Sequence, residues 1–254
     1  MELLSVLIEA CVDSVESARA ALAGGADRLE LCDNLVEGGT TPSAGMLAVC
    51  VENVALPVFV LVRPRGGDFV YDDTEAAVML RDIAAARELG ALGIVTGALT
   101  SPGDVDEYLT RALVDAARPL PVTFHRAFDV CRDRDAALDA LVRLGVSRVL
   151  TSGGAATALD GAVEIHRLSA LAGDRLAILA GGGVNESNAR ELVLRSGVRE
   201  IHVRCADQMV GRSYGPGNPA VRFRRMPDIA ETTRLVTDVG RVSRVREAVA
   251  RAGG

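Results

Sequence analysis

Lysine and tryptophan are absent from the sequence, and aromatic residues make up only 3% of it. A Schiff-base mechanism needs a lysine amine, so lysine-dependent aldolase and pyridoxal phosphate chemistry are excluded. A Walker-type phosphate loop also requires a lysine and is excluded for the same reason. Because aromatic residues are so few, the core must be built from Val, Leu, Ile and Ala, as is typical of parallel sheets.

Basic clusters and long apolar runs are scarce as well. The formal net charge is −6 and the group of Arg222, Arg224 and Arg225 is short, which argues against nucleic acid or an anionic membrane as a partner. No apolar stretch reaches the length of a membrane span. Glu2 and Glu9 interrupt the first apolar run, so a signal peptide is not expected. The five cysteines are odd in number and widely spaced, which indicates reduced thiols in the cytosol.

Short apolar runs alternate with amphipathic segments along the chain. The repeated unit is a helix, a glycine and a short strand, as in AGGADRLEL and RLGVSRVLT. Eight such units in 254 residues predict an α/β fold, a single (β/α)8 barrel over residues 1–254. A doubly wound open sheet is the alternative, but the glycine-rich dinucleotide turn is missing after the first strand, so no nucleotide cofactor is expected. The predicted strands are Leu7–Cys11, Arg28–Leu31, Val58–Val62, Gly93–Thr96, Val122–His125, Arg148–Thr151, Ala177–Ala180 and Glu200–Val203.

The segment from Ala206 to Arg234 has no clear periodicity and contains several glycines and prolines. It is predicted to be a long loop after strand eight, and loops of that length are usually functional or mobile. A final helix is expected to start at Thr237 or Asp238. Helices are also predicted at Ser14–Ala23, Asp73–Leu89, Val105–Ala117, Asp135–Leu144, Leu159–Leu171 and Glu186–Leu194.

Polar side chains concentrate at the ends of the predicted strands, where barrels of this kind place their sites. Glu9 and Cys11 end strand one, and Glu30 and Cys32 end strand two. Strand residues alternate between faces and neighbouring strands lie about 5 Å apart. If both pairs face inward, two carboxylates and two thiols therefore converge.

An inward glutamate is costly unless it is paired. Arg63 or Arg65, just after strand three, is expected to supply the counter-charge. Glu9, Glu30 and His125 are candidates for acid/base catalysis, with a structural ion pair as the alternative. A tight turn explains the glycines after strand seven as well as an anion site does. The candidates for contact with an anionic ligand are Arg63, Arg65, Asp68, Arg126, Thr151, Ser152, Gly181, Gly182, His202 and Arg204.

Cys11 and Cys32 are candidate metal ligands, since soft sulfur donors select monovalent copper. The competing interpretation is that both are small hydrophobic residues that fill the mouth of the barrel. The nearby carboxylates are expected to raise the pKa of both thiols and to oppose thiolate formation.

Several longer strings carry a family resemblance: CVDSVESA, GGADRLELC, EGGTTPS, RPRGGDF, PVTFHRAFD, RVLTSG and GGGV. Together they resemble the CutC family, named for copper homeostasis, from Leu7 to the final helix. The resemblance implies a β/α barrel, a cytosolic location, self-association into a homo-oligomer and a role in copper tolerance or trafficking. It also implies that Cys11 and Cys32 occupy the positions proposed as copper ligands. One departure follows His202, where the family typically has H-x-S and this chain has Arg204, which is expected to share a face with His202 and to enter the pocket.

Three hypotheses about function remain open, because a fold does not dictate a function. The first is a copper-handling protein that binds Cu(I) through Cys11 and Cys32. The second is a lysine-independent barrel enzyme, an isomerase, lyase or hydrolase, acting on a small anionic or phosphorylated metabolite. The third is a scaffold whose partner binds the loop from Ala206 to Arg234.

Overall fold

A closed barrel of eight parallel strands forms the centre of the molecule. The computed structural model describes residues 6–211 and 232–251. Each strand pairs with the next in sequence order, and β8 pairs with β1 to close the barrel. The prediction of a (β/α)8 barrel is confirmed. The strands are β1 (Leu7–Val12), β2 (Arg28–Leu31), β3 (Val58–Leu61), β4 (Gly93–Thr96), β5 (Val122–Phe124), β6 (Arg148–Thr151), β7 (Ala177–Gly181) and β8 (Glu200–Val203).

The strands are short apolar runs because helices cover the outside of the barrel. All four residues of β3, Val-Phe-Val-Leu, are buried, as expected for a parallel strand enclosed on both faces. Inside the barrel, the large ring of Phe59 fits because Gly93 lies beside it on β4. A Cβ at Gly93 would come within 2.4 Å of that ring.

Eight helices surround the barrel in the described part of the chain. Capping residues set several of their starts: Asp72 and Glu75 form a capping box at α3, and Asp238 caps α8 as the sequence predicts. The helix α2 was not predicted, although Ser43 caps it by accepting from the N–H of Met46. The helices are α1 (Val15–Ala23), α2 (Ala44–Asn53), α3 (Asp73–Glu88), α4 (Glu107–Ala117), α5 (Arg134–Leu144), α6 (Ala162–Ala172), α7 (Ala189–Ser196) and α8 (Val239–Ala250).

The segment predicted as a loop after β8 has strands at both of its ends. β9 (Ala206–Val210) and β10 (Thr233–Thr237) pair antiparallel outside the barrel. Most side chains of β9 are exposed, so it has no apolar alternation to reveal a strand, and only pairing with a distant segment stabilises it. The rest of that predicted loop, residues 212–231 with Arg222, Arg224 and Arg225, lies outside the described residues.

The register of the barrel brings the predicted site residues together. Cys11 on β1 is opposite Glu30 on β2, and Glu9 is opposite both Arg28 on β2 and His202 on β8. Among the helices described, none is both long and apolar enough to cross a lipid bilayer.

Candidate functional site

The thiol pair lies at the carboxyl end of the first two strands. Cys11 is on β1, and Cys32 comes directly after β2. Their sulfur atoms are 3.7 Å apart. A carboxylate oxygen of Glu30 joins them, so that the three ligand atoms all lie within 4.8 Å of one another, and all three residues are buried. Two soft sulfur donors suit a soft monovalent ion such as Cu(I) better than a hard oxygen-seeking cation.

Glu9 is fully buried below the thiols and is doubly paired. Arg28 donates to its carboxylate at 2.5 Å, and Nδ1 of His202 lies 2.9 Å from its other oxygen. Nε2 of His202 lies 3.5 Å from Glu30. His202 therefore connects the two glutamates, as a donor to both when it carries two protons.

The prediction that Arg63 or Arg65 supplies the counter-charge to the buried glutamates was wrong. Neither Arg63 nor Arg65 pairs with Glu9 or Glu30. Both arginines follow the end of β3 and make other contacts, whereas Arg28 lies on β2 itself, directly opposite Glu9.

The charge network extends deeper into the barrel. Arg28 also binds Glu200 at 2.9 Å, and Arg148 binds the same carboxylate at 2.5 Å. The ring of Phe59 lies beside both guanidinium groups, 4.8 Å and 5.5 Å from their central carbons. Each charge in this network thus has a partner of opposite sign, as burial requires.

These contacts separate the pKa values of the two glutamates. Burial opposes ionisation of Glu9, but the hydrogen bond from His202 and the charges of His202 and Arg28 outweigh it and lower the pKa of Glu9 to about 2. Burial and the negative charge of Cys11 hold the pKa of Glu30 well above its usual value. Burial acts to lower the pKa of His202, yet the charge of Glu30 and hydrogen bonds with Cys11 and Glu9 raise it overall. Glu9 is thus an anion at neutral pH, and its contact with His202 favours the protonated form of that histidine.

The two thiols also differ from each other. The hydrogen bond with Cys32 and the charge of His202 lower the pKa of Cys11 well below its usual value, although burial opposes this. The same hydrogen bond and burial raise the pKa of Cys32. The prediction that carboxylates raise both thiol pKa values was therefore wrong for Cys11, because the neighbouring thiol and His202 stabilise its thiolate.

A cavity of about 320 Å³ opens above the thiols. A buried histidine, His125, and a buried arginine, Arg63, line it together with the exposed Arg126. The predicted site residues that line this cavity are Cys11, Glu30, Cys32, Arg63, His125, Arg126 and His202.

Eight predicted site residues do not line this cavity: Glu9, Arg65, Asp68, Thr151, Ser152, Gly181, Gly182 and Arg204. Arg65 binds Glu75 and Asp68, so the arginine and Asp68 pair with each other at the surface. Arg204 lies 3.9 Å from Asp13 and lines a separate depression beside the loop after β7. The expectation that Arg204 enters the pocket with His202 was wrong, because β8 ends at Val203 and Arg204 lies beyond it.

Thr151 and Ser152 hold an internal carboxylate. Asp129 accepts from both hydroxyls, at 2.5 Å and 3.0 Å, and from the N–H of Gly154. Arg126 donates to both Asp129 and Ser152. A side-chain anion of the protein thus takes up these donors, and their contact with an external anion stays a prediction.

Close packing explains why the last residue of β7 is a glycine, and backbone conformation explains the glycine that follows it. A Cβ at Gly181 would come within 2.5 Å of Leu150 and 3.0 Å of His202. Gly182 has a φ of +115°, which disfavours other residues. Their role in binding a phosphate also stays a prediction.

Sequence reasoning missed Arg28, Arg148 and Glu200. Arg28 could have been found from the sequence, because it lies two residues before Glu30 and therefore on the same inward face of β2. Glu200 and Arg148 lie on strands distant in sequence, and only closure of the barrel brings them together.

The chain is similar to known proteins over most of its length. A model of the CutC family matches residues 6–206. The chain is 47% identical over 237 residues to the copper homeostasis protein cutC homolog of Homo sapiens, covering 93% of this chain and 86% of the relative. It is 44% identical over 245 residues to a family protein CutC of Bacteroides fragilis, covering 96% of this chain and 97% of the relative.

Solved structures give the same result. A CutC protein of Streptococcus agalactiae matches with a TM-score of 0.74 and 36% identity, over 78% of this chain and 98% of that one. An N-(5'-phosphoribosyl)anthranilate isomerase of Pyrococcus furiosus, at 13% identity and a TM-score of 0.56, covers 97% of this chain and 99% of that one, and shares the fold alone. The family match, the sequence relatives and the shared barrel together show that this chain belongs to the CutC family.

Proposed function

We propose that the chain binds a monovalent copper ion through Cys11 and Cys32, as part of copper handling in the cell. The observation that carries the proposal is the pair of buried sulfur atoms 3.7 Å apart on adjacent strands, at the floor of an open cavity. Relatives of this chain carry names that refer to copper homeostasis.

The chemistry of the two thiols supports a metal ion there. The lowered pKa of Cys11 provides a thiolate, the form that binds metal. Binding releases the proton of Cys32, as metal binding to thiols generally does. Glu9 holds His202 in place beside the thiols, so the copper ligands rest on a supporting layer of charged residues.

The test is a titration of the reduced protein with Cu(I) against a competing chelator. The Cys11→Ser, Cys32→Ser double variant should lose more affinity than the roughly 10–100-fold that removal of a supporting partner costs. The matched control is the Cys50→Ser, Cys131→Ser double variant, in which two other buried cysteines change. If both double variants bind copper as tightly as the wild type, the proposal fails.

A second candidate function is a metal-independent enzyme acting on a small anionic metabolite. The volume of about 320 Å³ supports it, because ligand cavities range from about 300 to 1,000 Å³ and a single ion needs far less. Glu30, with its raised pKa, would serve as the general acid. A thermal-shift screen of anionic metabolites followed by product analysis tests it. The candidate is refuted if Glu30→Gln leaves turnover of every stabilising metabolite unchanged.

We also propose that the protein is cytoplasmic and that it assembles into a homo-oligomer. Five free, buried cysteines support a reducing compartment. Light scattering on the purified protein measures the mass of the particle, and the mass of a single chain would contradict the assembly.

A further inference from the structure

His125 carries its proton on a nitrogen that has no hydrogen-bond partner within the described part of the chain. The residue follows β5, and its Nδ1 accepts a hydrogen bond from the backbone N–H of Ala127 at 3.2 Å. Burial and the charge of Arg63 lower the pKa of His125 to about 3, so the ring is neutral and its proton lies on Nε2. This Nε2 is buried and finds no acceptor among the described residues. A buried donor without an acceptor is costly.

Arg63 adds a buried positive charge that has no counter-ion among residues 6–211 and 232–251. Only 5% of the residue is exposed, and its guanidinium donates to the backbone carbonyls of Glu37, Gly39 and Gly67. In the described part of the chain, no carboxylate lies within ion-pair distance of it. Buried charges are normally paired, so this part of the cavity lacks one negative charge.

Phe69 joins these two groups into one wall of the cavity. Its ring lies 5.0 Å from the ring of His125 and 5.1 Å from the central carbon of Arg63. All three side chains line the cavity that also reaches the thiols. Gly97 leaves room for the imidazole, since a Cβ there would come within 2.6 Å of Nδ1.

We infer that His125 and Arg63 form an oxyanion subsite, which binds a small organic anion by a carboxylate or phosphate group. One anionic oxygen accepts the Nε2–H of His125, and its charge offsets that of Arg63. The rest of the ligand occupies the cavity that leads to Cys11 and Cys32. The subsite does not include the thiols, so it goes beyond copper binding and does not depend on it.

The test measures the binding of acetate and inorganic phosphate to the metal-free protein, with acetamide as the neutral analogue of acetate. Saturable thermal stabilisation by at least one anion, and none by acetamide, is the expected result. Stabilisation by acetate alone identifies a carboxylate ligand, and by phosphate alone a phosphorylated one. No saturable stabilisation by either anion overturns the inference.

The Cys11→Ser, Cys32→Ser double variant separates this inference from the copper proposal. It should bind the anion as the wild type does, even though it loses the proposed copper ligands. Loss of anion binding in this variant would contradict a subsite that excludes the thiols.

The decisive variant is His125→Asn. Its side-chain oxygen can still accept from the N–H of Ala127, but asparagine is too short to place a donor where Nε2 lies. Affinity for the anion should fall by about 10- to 100-fold, the loss expected for one charge-assisted hydrogen bond. His166→Asn, a change at an exposed histidine on α6, is the matched control and should bind as the wild type does.

Equal affinity of His125→Asn and the wild type would overturn the inference. Should His125→Asn fail to fold, ¹⁵N NMR of the imidazoles in the wild-type protein decides. The Nε2–H resonance of His125 should shift on addition of the anion, and an unchanged resonance counts against the subsite.

Discussion

Glu9 is the central residue of the buried charge network inside the barrel. It has no exposed surface, and it binds Arg28 at 2.5 Å and His202 at 2.9 Å. Removing one member of such a set leaves the others charged and unpaired in a medium that solvates them poorly. The stability of the barrel and the orientation of His202 therefore depend on the same carboxylate.

Glu9→Gln should lower the free energy of unfolding by about 3–5 kcal/mol, because it leaves Arg28 with Glu200 alone and removes the carboxylate that lies 2.9 Å from His202. Urea denaturation followed by circular dichroism measures the change. Asp115→Asn is the control: its ion pair with Arg118 is exposed, so the loss should be about 0–1 kcal/mol. Similar losses in the two variants would show that the buried network contributes no more than a surface pair.

His125 should make the stability of the protein fall in acid. Its pKa is about 3 in the folded protein and 6.5 in an unperturbed chain. Between these values the unfolded chain binds a proton that the folded chain does not. The stability is therefore fully present above pH 6.5 and is lost as the pH falls towards 3, at about 1.4 kcal/mol per pH unit.

The measurement is the free energy of unfolding between pH 4 and 7 for the wild type and for His125→Asn, which has no titrating group at that position. The variant should show the shallower dependence on pH. Parallel curves would mean that His125 takes up its proton in the folded state as readily as in the unfolded one.

The strands position the buried charges through their register, and each strand leaves room for the side chains of its neighbour. The pairing of β1 with β2 and β8 sets Glu9 opposite Arg28 and His202. A slip of one residue would turn these side chains to the opposite face. β4 contributes space, since Gly93 leaves room for the ring of Phe59, which contacts Arg28 and Arg148.

Gly93→Ala should lower the free energy of unfolding by about 1–3 kcal/mol, because the added methyl group overpacks the barrel interior against Phe59. Thermal denaturation measures it. The matched control is Gly45→Ala on α2, where a Cβ would meet nothing within 4 Å. That change should stabilise the protein by about 0.5–1 kcal/mol, since alanine favours a helix over glycine. If Gly93→Ala leaves the free energy of unfolding unchanged, the added methyl group does not overpack the barrel interior against Phe59.

For the whole molecule, closure links the two ends of the described chain. β8 pairs with β1, and α8 packs on the outside with Val242, Val245 and Val249 buried. Arg246 on α8 donates to the carbonyls of Val6 and Gly25 and pairs with Asp27. Because the last helix contacts the residues just before β1 and β2, we expect the barrel to open as one unit.

The protein should therefore unfold in one cooperative transition. Far-UV and near-UV circular dichroism should report the same urea midpoint. Arg246→Ala should lower that midpoint while the transition stays single, because it loosens α8 without creating a second folding unit. Two separated transitions in the wild type would contradict the prediction of one domain over residues 1–254.

Local patterns in the sequence were enough for the elements and for part of the site. Strand limits such as Arg28–Leu31 and Gly93–Thr96 follow from short apolar runs between glycine-ended helices. The convergence of Cys11, Glu30 and Cys32 follows from alternation along two neighbouring strands. Both arguments need only residues close together in the chain, and a family resemblance strengthened them.

Long-range contacts were decided only by the tertiary structure. Glu9 and His202 are 193 positions apart, and they meet because the barrel closes β8 onto β1. β9 and β10 are strands only because they pair with each other, and Arg204 misses the cavity because β8 ends one residue earlier. Sequence alone determined which residues of one strand share a face, because alternation is a local property of the backbone. Only the closed barrel decided which inward charges neutralise one another, because those contacts depend on distances between strands far apart in the chain. It also left the Nε2–H of His125 without an acceptor and Arg63 without a carboxylate partner among the described residues.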